Sequence, residues 1–188
     1  MSEEQGQVRK DELDQPARAR RRLALAQIRQ YGDPALRMTA REVETFDQDL
    51  ERLVERMIAL MHDASGVGLA ATQVGVLQRL FVVEPADEEP RALVNPRIVE
   101  RSAETVVDDE GCLSLQGVLV PVERHVTVTI EALDVHGAPL RLEFEELGAR
   151  VVQHELDHLD GMLIIDRTDP ESRRGALATL RPKPVLYS

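Results

Sequence analysis

The apolar residues of this chain change their spacing twice along the sequence, and that change constrains the fold more than any other feature. In residues 45–62 they recur on one helical face, at Phe46, Leu50, Leu53, Val54, Met57, Ile58 and Met61. From residue 79 to residue 144 they form short runs rich in Val, Leu and Ile. Helical spacing returns in residues 145–159, and residues 169–180 predict a short final helix. This order predicts an α+β domain with a mostly antiparallel sheet.

The strand predictions rest on short apolar runs that are separated by turn residues. The predicted strands are residues 79–83, 92–94, 98–101, 118–120, 126–133 and 139–144. Val126, Val128 and Ile130 alternate with polar residues, which is typical of a half-buried strand. Residues 134–137 predict a hairpin turn between the last two strands. Residues 162–165 predict either a strand or the start of a turn.

Length and composition indicate one globular domain. The chain has 188 residues, of which 43% are hydrophobic and 30% charged. Residues 1–22 are polar and mixed in charge, and we expect them to form a disordered tail. Residues 23–188 are then expected to form the single folded domain.

The charge balance argues against a nucleic-acid or membrane partner. There are 23 Lys and Arg against 34 Asp and Glu, and aromatic residues make up only 3%. Four arginines in residues 18–22 are interpreted as a solvated charge run rather than an anion or RNA site. No apolar run approaches the roughly 20 residues of a membrane span. A lone Cys112 and an acidic N-terminus without an apolar core predict the cytosol.

The strongest local signal is the string HELDH at residues 154–158. Residues four apart on a helix point in nearly the same direction, so His154 and His158 can hold one metal ion. Glu155 lies beside them as a candidate general base for a metal-bound water. The alternative is a histidine pair that serves packing or solubility. Both histidines continue an apolar stripe with Leu147 and Val151, and buried histidines need partners.

A catalytic metal needs a third protein ligand, and the sequence offers two candidates for it. The longer metzincin pattern fails at Ile164, where it requires a histidine. Glu171 is a weak candidate because it follows a turn. Cys112 is the better candidate, since a thiolate binds Zn²⁺ or Fe²⁺ well. Taken alone, Cys112 would be interpreted as a small buried hydrophobic residue.

A glycine-rich string, GVGLAATQ, occupies residues 66–73. A dinucleotide-binding loop would need a strand before it and a helix after it, and here the order is reversed. The small residues instead indicate close backbone approach to another group. Gln73 can donate a hydrogen bond to a developing oxyanion, although a surface or turn position is the alternative.

Three segments together resemble the motifs of the peptide deformylase family. They are GVGLAATQ at residues 66–73, EGCLS at residues 110–114 and QHELDH at residues 153–158. They stand in the order of the family, and the similarity covers roughly residues 25–170. Each motif alone is only suggestive, but three in the right order are very specific. The resemblance implies a fold in which mostly antiparallel β-sheets pack around the helix that carries the histidines.

The resemblance also implies the activity and the metal ligands. Members of the family remove the formyl group from N-formylmethionine at the start of newly made bacterial or organellar proteins and release formate. By this resemblance Cys112, His154 and His158 bind one divalent metal ion, with water in the fourth position. Ferrous iron is the expected metal, and zinc, nickel and cobalt are the alternatives. A metal-dependent hydrolase of the bacterial cytoplasm is therefore expected.

The remaining roles follow from the same resemblance. Glu155 is expected to act as general base and then as general acid. The side chain of Gln73 and the backbone N–H of Leu113 are expected to stabilise the oxyanion.

Substrate contacts are expected on both sides of this site. Val67 and Val151, with Leu147, are predicted to line a pocket for the methionine side chain. The backbone of Gly66 and Gly68 is predicted to pair with the extended peptide. The expected partner is the N-formylmethionyl nascent peptide, with ribosome contact through the arginines of the C-terminal segment, namely Arg173, Arg174 and Arg181.

The chain departs from the family pattern just before the metal helix. The family usually has Gly and Leu where this chain has Glu146 and Gly148. The family also often has an arginine that pairs with the Glu of its second motif. Arg124 is the candidate partner for Glu110.

Two other functions are compatible with parts of this pattern. A general zinc peptidase would use the same histidine pair with a Glu or His as third ligand, so that loss of Cys112 would leave the metal content intact. An inactive homologue would bind formylated or acidic N-termini without turnover. That second alternative predicts replacement of Glu155 or Gln73, yet both are present.

Overall fold

The computed structural model describes residues 14–85 and 89–181 of the chain. Within these residues the helices are α1 (Gln15–Leu25), α2 (Gln48–Asp63), α3 (Glu146–Leu159) and α4 (Pro170–Leu180). The strands are β1 (Gly68–Ala70), β2 (Leu80–Val83), β3 (Arg91–Arg101), β4 (Thr105–Gly111), β5 (Leu119–His125), β6 (Thr127–Leu133) and β7 (Pro139–Glu145). Short 3-10 turns occur at Pro34–Arg37, Ala71–Val74 and Ile164–Asp166.

The strands form two antiparallel sheets, which confirms the predicted α+β class. The larger sheet has the order β1-β2-β3-β6-β7, and β4 pairs with β5 in a separate two-stranded sheet. Helix α3 contacts β1, β2, β6 and β7 of the larger sheet and β5 of the smaller one. The helix that carries the histidines therefore lies at the centre of the fold, between the two sheets.

Both predicted amphipathic helices bury apolar side chains, but only α2 buries the stripe that its spacing predicted. Helix α2 places Leu50, Val54, Met57 and Met61 in one core with β1 and β2. Helix α3 instead packs a different set of apolar side chains against the larger sheet, namely Ala149, Val152, Leu156 and Leu159. Burial of this apolar surface is the main force that stabilises both helices, because short helices are marginal in water.

The prediction of a disordered tail is wrong for residues 15–22, which form most of α1. Asp14 caps this helix by accepting a hydrogen bond from the Ala17 N–H at 2.8 Å. Arg21 is buried, and its Nε donates to the carbonyl of Ala64 at 3.1 Å. The arginine run is therefore not wholly solvated. Residues 1–13 of the predicted tail lie outside the described residues, and the single domain over residues 23–188 stays a prediction.

Helix α2 begins at Gln48 rather than at residue 45. The carboxylate of Asp47 accepts hydrogen bonds from the N–H groups of Asp49 and Leu50, so Asp47 caps the helix instead of Thr45. The predicted hairpin turn is confirmed, since the N–H of Asp134 donates a hydrogen bond to the carbonyl of Ala138 at 2.8 Å and closes the turn. At residues 162–165 the turn is the correct alternative.

The strand predictions missed β1 and β4, divided β3, and included only the start of β5. Most residues of β4 are exposed, so it carries no apolar alternation. Strand β3 continues through Asn95 and Pro96 with irregular register. Asn95 lies at φ 52°, and its side chain bonds the N–H and the C=O of Val43 at 2.8 and 2.9 Å. This pairing joins residues 52 apart in sequence and accompanies a bulge that the local sequence pattern did not reveal.

Glu146 occupies a strained backbone position at the start of α3. Its φ is +46°, in the left-handed region that glycine adopts at little cost. Its N–H donates to the carbonyl of Val126 at 2.8 Å, which holds the backbone there. This geometry gives a physical reason for the glycine that the family usually has at this position.

Replacing Glu146 by glycine is expected to stabilise the protein. The substitution Glu146→Gly should raise the free energy of unfolding by about 1 kcal/mol, because it removes the cost of a side chain in the left-handed region. Urea unfolding followed by circular dichroism measures this change. The matched control is Glu145→Gly, at φ −123°, which should lower the free energy of unfolding by about 0.5–1 kcal/mol. Equal destabilisation by both variants would contradict the strain argument.

Candidate metal centre

Helix α3 and the turn after β4 bring the three predicted metal ligands together. His154 and His158 lie one turn apart on α3, with ring centroids 4.9 Å apart. Cys112 directly follows β4, and its Sγ lies 3.2 Å from Nε2 of His158. One ligand atom from each of the three residues lies within 4.8 Å of the others. Glu171, the weaker candidate for third ligand, is exposed in the first turn of α4 and is not part of this group.

A buried carboxylate orients the first histidine. Oε2 of Glu110 lies 3.1 Å from Nδ1 of His154, so the other ring nitrogen is directed to the ligand group. Nε and Nη2 of Arg124 donate to the two oxygens of Glu110 at 2.9 and 3.0 Å. The predicted Glu110–Arg124 pair is therefore confirmed, and it is buried.

Two further arginines and an aspartate complete this ion network, and sequence reasoning missed them. Nη1 of Arg150 donates to Oε1 of Glu110 at 2.7 Å. Asp157 accepts from Nη1 of Arg124 at 2.7 Å and from Nη2 of Arg167 at 2.6 Å. The Asp of the HELDH string was the only available signal, because most of these pairs join segments that are distant in sequence.

The same network shifts the pKa values of Glu110 and of the two histidines. Burial alone would raise the pKa of Glu110, but hydrogen bonds with His154 and Arg124 outweigh it and lower this pKa well below its usual value. Burial opposes a charge on His154, but hydrogen bonds with Cys112 and Glu110 raise its pKa well above the ordinary value. Burial, with the nearby charges of His154 and Arg124, lowers the pKa of His158. A metal ion binds both imidazoles in their neutral form, and the lowered pKa of His158 favours that form for this residue.

Glu155 is a buried carboxylate beside the ligand group. Its Oε2 has no hydrogen-bond partner within the described residues. Burial raises the pKa of Glu155 to about 7, which is near the value that suits a general base at neutral pH. A buried, unpaired carboxylate oxygen is costly for folding alone, and its position therefore points to chemistry.

Gln73 lies in the 3-10 turn Ala71–Val74 and is buried, so of the alternatives for this residue the surface position is wrong and the turn position is correct. Its Oε1 accepts the N–H of Ala70 at 2.9 Å, which directs Nε2 towards the metal site. Nε2 lies 3.1 Å from Oγ of Ser114 and 3.8 Å from Sγ of Cys112. The amide is thus fixed at both ends, with its donor group beside the thiol.

A cavity of about 60 Å³ opens beside these groups. Its lining includes all four residues predicted to contact substrate, together with Gln73, Leu113 and Glu155; those four are Gly66, Val67, Gly68 and Val151. Leu147 also lines the cavity, but it is 41% exposed, so it forms the rim rather than the buried stripe that its spacing predicted.

The donor set fits a divalent transition metal. One thiolate and two imidazoles leave a coordination position for water, which is the pattern of a catalytic site rather than a structural one. The carboxylate of Glu155 lies beside them without a partner for Oε2. These are the parts of a metal-dependent hydrolase.

None of the helices in the described part of the chain has the length and apolar content that a membrane-spanning helix needs.

Comparison with known proteins assigns the chain to a family. The family model for polypeptide deformylase matches residues 25–174. Curated peptide deformylases include one from Clostridium botulinum, 49% identical over 78% of this chain and 98% of its own length. Another, from Thermotoga neapolitana, is 47% identical over 78% of this chain and 88% of its own length. The chain belongs to the peptide deformylase family, whose activity is the deformylation of N-formylmethionyl peptides.

Solved structures support the same assignment. A peptide deformylase from Legionella pneumophila superposes with a TM-score of 0.78 at 41% identity, over 81% of this chain and 91% of that one. The peptide deformylase of Thermotoga maritima superposes with a TM-score of 0.74 at 46% identity, over 76% of this chain and 97% of that one. The chain is therefore a metal-dependent hydrolase with the α+β fold of this family.

The close approach of the β1 backbone to Glu155 is testable by adding one methyl group. A Cβ at Gly68 would lie 2.5 Å from Oε1 of Glu155 and 2.9 Å from Cγ1 of Val151. The variant Gly68→Ala should displace the carboxylate and lower kcat/KM by about 100-fold, with metal content unchanged. Steady-state kinetics and metal analysis measure both quantities. Gly175→Ala, with no atom within 4 Å of the new Cβ, is the control and should keep full activity.

Proposed function

We propose that this chain binds one divalent metal ion through Cys112, His154 and His158 and uses Glu155 to remove the formyl group from N-formylmethionyl peptides. The observation that carries the proposal is the meeting of a thiol from one loop with two imidazoles from one helical turn within 4.8 Å. The deformylase activity of the family supports the same reaction.

When bound, the metal ion lowers the pKa of a water ligand and polarises the formyl oxygen. Ferrous iron is the metal that we propose, since one thiolate and two imidazoles suit it. The same ligands also suit zinc, nickel and cobalt, so these ions are the alternatives.

Glu155 transfers the proton in the proposed reaction. Its carboxylate accepts a proton from the attacking water, and oxygen bonds to the formyl carbon. The same side chain then delivers the proton to the leaving nitrogen as the C–N bond breaks, which yields formate and a free amine. A pKa of about 7 lets Glu155 both accept and donate at neutral pH.

Gln73 and Leu113 stabilise the negative charge that develops on the formyl oxygen. Gln73 is held by the Ala70 N–H, so that its Nε2 donates towards the cavity. The backbone N–H of Leu113, next to Cys112, supplies the second donor. Loss of one such donor typically costs about 3 kcal/mol of transition-state stabilisation.

The substrate peptide pairs with the free edge of β1. In the described part of the chain, β1 bonds only to β2, and its other edge lies beside the cavity. The Gly66 N–H already donates to the carbonyl of Met61 at 2.9 Å, so the carbonyl of Gly66 and the backbone of Gly68 are the groups that we propose for an extended peptide. Val67 and Val151 line the pocket for the methionine side chain, since both border the cavity.

Nascent N-formylmethionyl chains in the bacterial cytoplasm are the partner that we propose. Bacterial relatives and the formyl group as substrate support this location. Ribosome contact through Arg173, Arg174 and Arg181 stays a prediction; all three follow the metal centre in or just after α4. The acidic chain gives no reason to propose nucleic-acid specificity or membrane binding.

Two substitutions separate metal binding from proton transfer. Cys112→Ala should abolish stoichiometric metal binding, because it removes one of three ligands. Glu155→Gln should keep one metal ion per chain and lower kcat by about 100- to 10,000-fold, because the amide cannot accept a proton. Anaerobic purification with metal analysis and an assay of formate release from a formyl-Met peptide measure both.

The same experiment tests the alternative functions. A metal content that Cys112→Ala leaves intact, together with cleavage of internal peptide bonds, would favour a general zinc peptidase. Full peptide binding without formate release by the wild-type protein would favour an inactive homologue.

Enlarging the side chain of Val151 tests the methionine pocket. Val151→Phe should fill part of the cavity and raise KM for formyl-Met peptides about tenfold, which corresponds to about 1.4 kcal/mol. Val99→Phe, on the exposed side of β3, is the control and should leave KM unchanged. Unchanged kinetics for Val151→Phe would remove Val151 from the pocket.

A further inference from the structure

Residues 29–31, which we call the strap, connect the two segments that carry the proposed oxyanion donors. The strap follows α1 and crosses both segments. Its Arg29 N–H donates to the carbonyl of Gln73 at 2.7 Å, and its Tyr31 N–H donates to the carbonyl of Ser114 at 2.8 Å. Nε2 of Gln30 donates to the carbonyl of Leu113 at 3.2 Å.

The side-chain amide of Gln30 has one favourable orientation. Its Nε2 faces two carbonyl oxygens within 3.2 Å, those of Leu113 and of Ile28 at 3.0 Å. Its Oε1 accepts a hydrogen bond from Nε2 of Gln116 at 2.9 Å. A reversed amide would place its oxygen against both carbonyls and its nitrogen against another amide donor. The surrounding groups therefore orient the amide so that Nε2 of Gln30 donates to the carbonyl of Leu113.

The peptide group between Leu113 and Ser114 is held on both sides. Its oxygen accepts from Gln30, and its N–H lies 3.4 Å from Sγ of Cys112. The carbonyl of Cys112 accepts the N–H of Leu115 at 3.1 Å, which closes the turn. Within the described residues the N–H of Leu113 has no acceptor, so it stays available to a ligand in the cavity that Leu113 lines.

We propose that Gln30 is a positioning residue for the oxyanion site, because it fixes the turn whose Leu113 N–H donates to the developing charge. The inference rests on the proposed function of Leu113 and Gln73. Gln30 itself does not line the cavity and touches no reacting group. Its effect is transmitted through the Leu113 carbonyl and the orientation of the adjoining peptide planes.

Two substitutions of similar size remove the donor of Gln30. Gln30→Glu places a second acceptor against the Leu113 carbonyl, and Gln30→Met removes the hydrogen bond without charge. Both should lower kcat per bound metal ion about tenfold, with KM within about twofold of wild type, because the misaligned donor acts in the transition state. The matched control is Gln116→Ala, which removes the partner of Oε1 but keeps the Gln30–Leu113 bond, and its kcat should stay within about twofold of wild type.

Formate release from a formyl-Met peptide, metal content and thermal unfolding are measured for all variants. A loss that appears only in metal content, in the folded fraction or in KM would overturn the proposal, and so would a kcat within about twofold of wild type for both Gln30 variants. Gln73→Ala is assayed in parallel: full activity of that variant would refute the proposed oxyanion site itself. Absence of formate release by the wild type would refute the proposed function, so the three failures are distinguishable.

Discussion

The buried carboxylate of Glu110 is the interaction on which the rest of the centre depends. It accepts from Arg124 and Arg150 and contacts the ring of His154, so one side chain joins β4, β5 and α3. Arg150 also donates to the carbonyl of Val122 on β5 and to that of Val106 on β4. Breaking a buried ion pair by removing one partner typically costs 3–5 kcal/mol, because a charge is left buried without compensation. The small sheet that ends at Cys112 is thereby held against the histidine helix.

The charged groups around the metal centre differ in whether they are compensated. The charges behind the ligands compensate one another, since Asp157 accepts from both Arg124 and Arg167. The carboxylate of Glu155, which faces the cavity, is not compensated in this way: its Oε2 is buried without a partner in the described part of the chain. Burial without compensation is what brings the pKa of Glu155 to about 7. The cost in stability and the reactivity of the carboxylate therefore have the same physical origin.

The sequence predicted the parts of the fold that carry a strong period, and the structure explains where it failed. The stripe of α3 and the spacing of His154 and His158 required only helical geometry. Strand β4 was missed because its exposed residues show no alternation, and α1 because docking of Arg21 on Ala64 is a tertiary contact. Arg150 and Gln30 act through partners dozens of residues away, and no local pattern encodes such pairs.

The two edges of the large sheet differ in how readily each could pair with another chain. Strand β7 is seven residues long and begins with a proline, and its exposed face carries Arg141 and Glu143, which discourages pairing with other chains. Strand β1 has no charged residue, yet it spans only Gly68–Ala70 and lies beside the cavity. An edge of three residues is too short to template another strand, but it can bond a peptide whose end enters the cavity. In the proposed binding mode, the free edge of β1 therefore favours a substrate terminus over the middle of a chain.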